Sequence, residues 1–403
     1  MSQYLPVEID TVTQNNLQPS NPGAGPGSNE IELPGPIKVG SHLYIPLGRQ
    51  NFNGPFQMWK SVDAGTTWNV QGAPISCRSW AVDYRAGIFT IAYLINVLGN
   101  QAITLIQFDT STDTYGATFG AGAMSTSCVM SLRVRSNGDI VVLHDENTGG
   151  NAIYWASIWN GAWTNKNFDL TGTAEGQSIS SCIDSLDNIH ILTSFSAGIA
   201  YNVHYWRLDT TNTFNGPQAF VWVSATGMDQ NAVPNISVSD ATDTVYVFQS
   251  RNAQTVQGFY GSPRSAPVWS SLTTGVQVGT LAGATIVQSL TTTIGTDGFV
   301  YVTINDNNQF CHVLKAPLSP VPINFSNDVV LDTTLTSPSL TNTLDHPKIA
   351  TVGITPSLYF NAALSSGPGP LRFVLGSKGI PLMTKSPVRF LSVPRPLPWP
   401  YNS

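Results

Sequence analysis

Ser61-Val62-Asp63-Ala64-Gly65-Thr66-Thr67-Trp68 is an octapeptide whose residue types suit a tight turn between two β-strands. An Asp carboxylate accepts hydrogen bonds from the amide groups of a turn, and glycine adopts a positive φ without steric cost. Asp63 and Gly65 therefore predict the turn, and Trp68 is placed to plug the underside of the hairpin. The octapeptide is therefore predicted to be a fastener, that is, a turn that holds two strands together, and not a reactive site.

The pattern around this octapeptide recurs along the chain. Each copy has an alternating strand, a turn rich in Gly, Asp or Asn, and a second apolar strand. The first apolar residues of the second strands lie 45 to 59 residues apart, a period typical of four-stranded propeller blades. These seven anchors are Leu43, Ile88, Ile140, Ile189, Val245, Phe299 and Leu358.

The repeats predict an all-β fold. We expect a single β-propeller of seven four-stranded blades, with six blades as the alternative. Residues 1–35 predict an extended N-terminal arm and linker, residues 36–380 the propeller, and residues 381–403 a closing strand and a Pro-rich tail. Either terminus is expected to close the ring by adding a strand to a terminal blade.

The octapeptide also resembles the Asp box, or BNR repeat, with the pattern Ser-x-Asp-x-Gly-x-Thr-Trp. The resemblance implies a sialidase-like propeller in which the box lies on the outer strands, far from the ligand face. Incomplete copies of the box follow at Asp109 and Asp209. The residues that the resemblance marks as structural are Ser61, Asp63, Gly65, Thr67 and Trp68.

Composition limits the possible functions. Only 10% of the 403 residues are charged, against about 25% in typical globular proteins, and the net charge is -6 with no run of basic residues. This pattern predicts no nucleic-acid binding. The apolar runs are shorter than the roughly 20 residues of a spanning helix, and the start lacks the features of a secretory signal. We therefore expect no membrane insertion and synthesis in a cytoplasm.

Cysteine and histidine spacing predicts no metal site and no cofactor. The four cysteines include no Cys-x-x-Cys pair, and the six histidines form no set spaced for zinc. Cys77 and Cys128 lie 51 residues apart, close to the repeat length. Two interpretations stay open for them: buried reduced thiols, or a disulfide between adjacent blades.

Candidate ligand-binding residues follow from the propeller geometry. Ligands usually meet the face formed by the loops that enter each first strand and leave each second strand. Those loops carry arginines, carboxylates, amides and an aromatic ring, a mixture that suits a carbohydrate. The candidates are Arg49, Asn51, Arg78, Trp80, His144, Asp145, Glu146, Arg251, Asp306 and Asn308.

Sialidase activity is not expected from these residues. The resemblance would require three arginines, a Tyr–Glu nucleophile pair and an acidic proton donor, but only Glu146 and Glu175 are glutamates outside the arm. Tyr44-Ile45-Pro46 also stands where the family has Arg-Ile-Pro. A more general glycoside hydrolase needs two carboxyl groups, and Asp145 or Glu146 with Asp306 is the pair that the loops offer.

A neutral polar surface on a chain without an export signal favours a virion protein made in the host cytoplasm. The first expectation is a non-enzymatic phage tail or capsid-attached protein, present in many copies, that displays the propeller for host attachment. Its partners would be other virion proteins, held through the arm or tail, and a cell-surface glycan. The alternatives are a sialidase-like or other glycoside hydrolase, and a non-viral lectin or scaffold.

Overall fold

Antiparallel β-sheet makes up the regular structure of the computed structural model, which contains no helix in the residues that it describes. These are residues 7–8, 17–18, 37–49, 55–63, 67–77, 79–97, 100–124, 130–148, 151–170, 175–197, 200–220, 235–252, 255–270, 276–280, 287–295, 298–306, 311–321, 323, 325, 328–330, 345–352, 355–361 and 371–375.

The strands of the first half of the chain are β1 Val7–Glu8, β2 Leu17–Gln18, β3 Ile37–Val39, β4 His42–Arg49, β5 Pro55–Ser61, β6 Asn69–Ser76, β7 Ser79–Arg85, β8 Ile88–Val97, β9 Asn100–Asp109, β10 Thr114–Tyr115, β11 Phe119–Met124, β12 Met130–Val134, β13 Ile140–Thr148, β14 Asn151–Trp159, β15 Trp163–Leu170, β16 Glu175–Ile183, β17 Ile189–Ala197 and β18 Ala200–Leu208. The remaining strands are β19 Phe214–Phe220, β20 Asn235–Ser239, β21 Thr244–Asn252, β22 Thr255–Ser262, β23 Val268–Trp269, β24 Val276–Thr280, β25 Val287–Ile294, β26 Phe299–Asp306, β27 Cys311–Pro317, β28 Asp328–Val330, β29 Asp345–Val352, β30 Thr355–Asn361 and β31 Leu371–Leu375.

These strands form seven sheets, one for each sequence repeat. The sheets, called blades one to seven, begin with β3, β7, β12, β16, β20, β25 and β29. From the second blade onward, the first strand of each blade contacts the first strand of the next, and β29 contacts β3 across the start of the ring. The prediction of an all-β propeller is confirmed, and seven blades rather than six stays a prediction.

The N-terminal arm contributes to two blades. Val7 and Glu8 pair with Phe373 and Arg372, so β1 is the outer strand of the seventh blade. Leu17 pairs with Arg49 at the end of β4 in the first blade. The ring is therefore closed by the N-terminal segment, whereas the predicted C-terminal closing strand and tail, residues 381–403, lie outside the described residues.

The ring has two faces with different connections. The hairpin turns that join first to second strands and third to fourth strands lie on one face, here called the turn face. The connections from second to third strands, and from one blade to the next, lie on the other, here called the loop face. Because most of the loop-face connections lie outside the described residues, the described part of that face consists of strand ends.

Apolar side chains fill the spaces between neighbouring blades. One cluster joins Tyr44 and Phe56 of the first blade to Trp80 and Phe89 of the second, and similar clusters follow between later blades. Both sides of the second to fifth sheets are thus buried, which explains their long apolar strands, and each fully buried large side chain contributes about 1.5–3 kcal/mol. Cys77 lies in the first cluster as a free thiol, so the disulfide interpretation is wrong.

Polar side chains accept hydrogen bonds from backbone amides on the exposed edges of the first strands. Asp83 accepts a hydrogen bond from the Val134 amide of the next blade at 2.7 Å, and Asn235 accepts one from the Thr292 amide at 3.2 Å. An edge strand leaves such amides without a partner in its own sheet. A side chain of one blade thus caps the first strand of the next blade, and the two residues lie about one repeat apart in the sequence.

The octapeptide forms the predicted turn between the third and fourth strands of the first blade. Asp63 accepts hydrogen bonds from the Thr67 amide at 2.8 Å and the Thr67 hydroxyl at 2.6 Å, which lower its pKa to about 2. Trp68 is buried, and Gly65 lies outside the described residues. In the fourth blade, Asp209 accepts the Thr213 amide with the same spacing at 2.9 Å.

Candidate functional site

The predicted ligand-binding residues fall into three groups. Asn51, Arg78 and Asn308 lie outside the described residues. Arg49, Arg251 and Asp306 lie at the loop-face ends of β4, β21 and β26, where their backbone positions are described and their side chains are not. These six residues stay predictions, and the remaining four lie in described parts of the second and third blades.

Trp80 and His144 are corrected by their burial. The Trp80 ring lies in the core with its centroid 4.7 Å from that of Phe56, so it is not presented to a ligand. His144 is buried on the second-blade side of β13, where its Nε2 lies 2.9 Å from the Ser157 hydroxyl. Burial lowers the His144 pKa to about 4, because the charged ring would lose its hydration. Both side chains belong to the packing between blades.

Asp145 and Glu146 follow His144 near the loop-face end of β13. Successive residues of a strand point to opposite sides, so Asp145 faces the fourth blade and Glu146 the second. Asp145 is only 3% exposed, and Glu146 is half-buried. Of the predicted residues, Asp145 is thus the one placed between the third and fourth blades.

Asp145 belongs to a polar row that crosses the third blade. Asp145 pairs in register with Tyr154 of β14, and Tyr154 pairs with Asp169 of β15. A bulge follows this pair, since Trp155 is matched with Asn167 and leaves Phe168 as the extra residue. Bulges re-aim side chains, and here both Phe168 and Asp169 contact the fourth blade. The row lies directly above the apolar cluster between these blades.

Side chains of the fourth blade form hydrogen bonds with this row. Asp169, 4% exposed, accepts the Thr193 hydroxyl at 2.6 Å and the Trp206 indole N–H at 3.1 Å. The Nδ1 atom of His204 lies 3.0 Å from the same carboxylate, and the His204 side chain is 20% exposed. Thr193 and His204 are a register pair in β17 and β18. We call Asp145, Tyr154, Asp169, Thr193 and His204 the polar layer.

The polar layer holds a histidine against a buried carboxylate. A histidine whose Nδ1 bonds a carboxylate is held in one orientation. Asp169 is itself fixed by Thr193 and Trp206, and burial makes its contact with His204 stronger than it would be in water. The Tyr154 hydroxyl donates to the Ser194 carbonyl and so ties the layer to the next blade. At 20% exposure, His204 is the most exposed side chain of the polar layer.

Sequence reasoning found Asp145 but missed Asp169, Thr193 and His204. These three residues lie within strands, whereas the search concentrated on loops. The available signal was a polar residue at each of three positions where the repeat otherwise calls for apolar ones. The bulge at Phe168 also hid Asp169, because it shifts the alternation of β15 by one residue.

The described residues contain no group of three or more His, Cys, Asp or Glu side chains placed to hold a metal ion. They also contain no helix with the length and apolar character needed to span a membrane.

Comparison with known proteins shows similarity in fold. No protein-family model matches the sequence, and no curated protein matches it either. An ulvan lyase of polysaccharide lyase family PL25, bound to -[GlcA(1-4)Rha3S]-, matches with a TM-score of 0.51 and 9% identity over 74% of this chain and 80% of that one. A protein of unknown function from Dyadobacter fermentans matches with a TM-score of 0.50 and 8% identity over 93% of this chain and 97% of that one. An α-L-arabinanase from Penicillium chrysogenum has a TM-score of 0.49 and 13% identity over 79% of this chain and 99% of that one.

These similarities correct the functional expectation. The chain was expected to be a non-enzymatic virion protein, but an ulvan lyase shares its fold. This finding overturns the virion interpretation, and the similarity itself concerns the fold. The location in a virion and the partners, other virion proteins and a cell-surface glycan, stay predictions.

Proposed function

We propose that the protein is a carbohydrate-active enzyme that cleaves a polysaccharide by acid–base chemistry at the polar layer. The observation that carries this proposal is a buried carboxylate, Asp169, that holds the 20% exposed side chain of His204 at 3.0 Å. The fold of an ulvan lyase, a polysaccharide-cleaving enzyme, supports the class of substrate.

His204 is the proposed proton-transfer residue. Cleavage of a glycosidic bond by water requires a base that takes a proton from the water, and cleavage by elimination requires one that takes a proton from a carbon next to a carboxylate. His204 supplies that acceptor in either reaction, while Asp169 orients the ring and stabilises the positive charge that forms on it. A positioned base of this kind contributes typically 10²–10⁴-fold in rate.

The strand ends and loops around the polar layer are the proposed glycan subsites. Hydroxyl groups of a sugar require planar polar partners, which arginine, amide and carboxylate side chains supply. Asp145 lies within the polar layer, and Glu146 lies beside it on the same strand. The other proposed contacts are Arg49, Asn51, Arg78, Arg251, Asp306 and Asn308.

A polysaccharide panel tests the proposal. The full chain is incubated with neutral and with uronic-acid polysaccharides, and the products are followed as new reducing ends and as unsaturated sugars. We expect cleavage of at least one substrate, and a His204→Gln variant at least 100-fold less active, because glutamine keeps a hydrogen bond to Asp169 but cannot carry the proton.

A matched control separates chemistry from folding. His42 begins β4 on the turn face of the first blade, so His42→Gln should keep full activity. Unsaturated products would assign elimination, and reducing ends without unsaturation would assign hydrolysis. No cleavage of any polysaccharide, or full activity in His204→Gln, would overturn the proposal.

We also propose that Ser61–Trp68 is an Asp-box fastener. The hydrogen bonds from Thr67 to Asp63 and the burial of Trp68 support a mechanical role on the turn face. Asp63→Ala should lower the melting temperature and leave polysaccharide cleavage unchanged. A loss of cleavage in a variant that melts like the wild type would contradict this role.

A further inference from the structure

The turn face carries an apolar and acidic patch at the fourth and fifth blades. Leu186, in the turn after β16, is 54% exposed, and Val268, the first residue of β23, is 75% exposed. The side chains of Asp240 and Asp243, in the turn between β20 and β21, are 49% and 51% exposed. We call these four residues the turn-face patch.

Arg264 fixes the three turns of the patch to one another. Its guanidinium lies 3.1 Å from an Asp240 carboxylate oxygen and 2.8 Å from one of Asp243, and it also donates to the Ser185 hydroxyl at 3.2 Å. The Ser185 amide donates to Asp240 at 3.0 Å. The patch is therefore a shaped surface held across two blades, with exposed leucine and valine beside exposed carboxylates.

Residues 376–403 have the complementary chemistry. This segment contains four basic residues and no Asp or Glu, with apolar side chains spread between the charges. Its basic residues are Lys378, Lys385, Arg389 and Arg395, and its large apolar residues include Phe390, Leu391, Leu397 and Trp399. Alternating basic and apolar side chains match a surface made of carboxylates and exposed aliphatic groups.

The chain enters this segment from the turn face. β31 is the third strand of its blade, like β5, β14, β18 and β22, and each of those strands ends at a turn on the turn face. The 28 residues after Leu375 extend to about 90 Å when stretched and span about 30 Å as a flexible coil. A ring of four-stranded blades is about 40 Å across, so the segment reaches the fourth and fifth blades.

We propose that residues 376–403 dock on the turn-face patch of the same chain. The basic residues lie against Asp240 and Asp243, and apolar residues of the segment cover Leu186 and Val268. This docking is independent of the polysaccharide chemistry on the opposite side of the ring.

Hydrogen exchange measured by mass spectrometry on the full chain tests the docking. The wild type is compared with a variant in which Lys385, Arg389 and Arg395 are replaced by glutamate. We expect amides of residues 184–188, 240–243 and 262–268 to exchange at least threefold faster in the variant. The turn at residues 160–162, on the same face of the third blade, should exchange equally in both proteins.

A single charge reversal elsewhere on the chain and a dilution series complete the test. Lys38→Glu, at an exposed position of β3, should leave exchange at the patch unchanged. Equal exchange at the patch in the wild type and the triple variant would overturn the docking. Protection that disappears on dilution would assign the patch to a second copy of the chain and overturn docking within one chain.

Discussion

The second blade presents an apolar row to the third blade, and the third blade presents a polar row to the fourth. In the second blade, Leu94 and Ile103 are a register pair, and both are fully buried. The corresponding pair on the fourth-blade side is Asp145 and Tyr154, joined by Asp169. The two rows lie at the same height in successive blades, so they show two ways to fill one position of the repeat.

Leu94 and Ile103 show that a blade fills this height with apolar side chains, and His144 and Ser157 of the third blade are buried on the same interface. Burying a carboxylate costs free energy unless hydrogen bonds offset it, and hydrophobic replacements of buried charges are often neutral or stabilising. Packing alone therefore does not require a buried carboxylate at Asp169. The proposed function, which needs a held histidine, would supply a reason for it.

Introducing a carboxylate into the apolar row should have the largest effect on stability. Leu94→Asp places a charge among Met130, Leu132 and Val142 with no donor of the kind that Asp169 has. We expect the free energy of unfolding to fall by about 4 kcal/mol at pH 8, measured by denaturant titration.

A matched neutral variant isolates the charge. Leu94→Asn has nearly the same shape, so it should destabilise equally at all pH values, whereas Leu94→Asp should recover stability as the carboxyl takes up a proton in acid. If the two variants lose equal stability at pH 8, the apolar side tolerates a carboxylate and the contrast between the rows fails.

The histidine on the apolar side should make the fold sensitive to acid. His144 has a pKa of about 4 in the folded chain, below its ordinary value of 6.5, because burial disfavours the charged ring. The unfolded chain therefore binds the proton first, and stability is lost as the pH falls from about 6.5 to about 4, by about 3 kcal/mol in total. His144→Gln should flatten this part of the stability curve, and an unchanged slope would contradict the assignment.

Asp83, on the first strand of the second blade, should change the stability with pH in the opposite direction. Burial raises its pKa to about 7, against the lowering effect of the Val134 amide. Below about pH 4 both states are protonated, and above it the unfolded chain ionises first, so stability falls as the pH rises to about 7. Since Asp83 is only half-buried, we expect about 2 kcal/mol, less than the full shift implies. Asp83→Asn should remove this slope, and its persistence would assign it to another group.

The repeat architecture could be predicted because it depends on local patterns. Apolar residues recur at matching positions in each copy, and Asp63 and Gly65 define a turn by their own chemistry. The strand supplied by Val7 and Glu8 could not be predicted, since pairing with Phe373 joins two ends of the sequence through backbone groups that any residue carries.

The polar layer was predicted only at Asp145 for a related reason. Asp169 and His204 come from different blades, 35 residues apart, and a bulge shifts the alternation that would have marked Asp169 as inward-facing. Trp80 and His144 were misplaced because a residue beside a loop was taken to point into it. Strand alternation and the neighbouring blade decide that direction, and both depend on the assembled ring.

Thr193→Val should give the smallest change in stability and the sharpest test of the polar row. Valine keeps the shape of threonine but cannot donate to Asp169, which retains the His204 and Trp206 contacts. We expect a loss of about 1 kcal/mol in the free energy of unfolding. If Asp169 orients a reacting histidine, kcat should fall about tenfold with KM unchanged, since small misplacements of a catalytic group are costly. Thr193→Ser, which restores the donor, should recover kcat. If Thr193→Val lowers stability and leaves kcat unchanged, the polar row only stabilises the contact between the third and fourth blades. The difference between the polar and apolar rows would then concern packing alone.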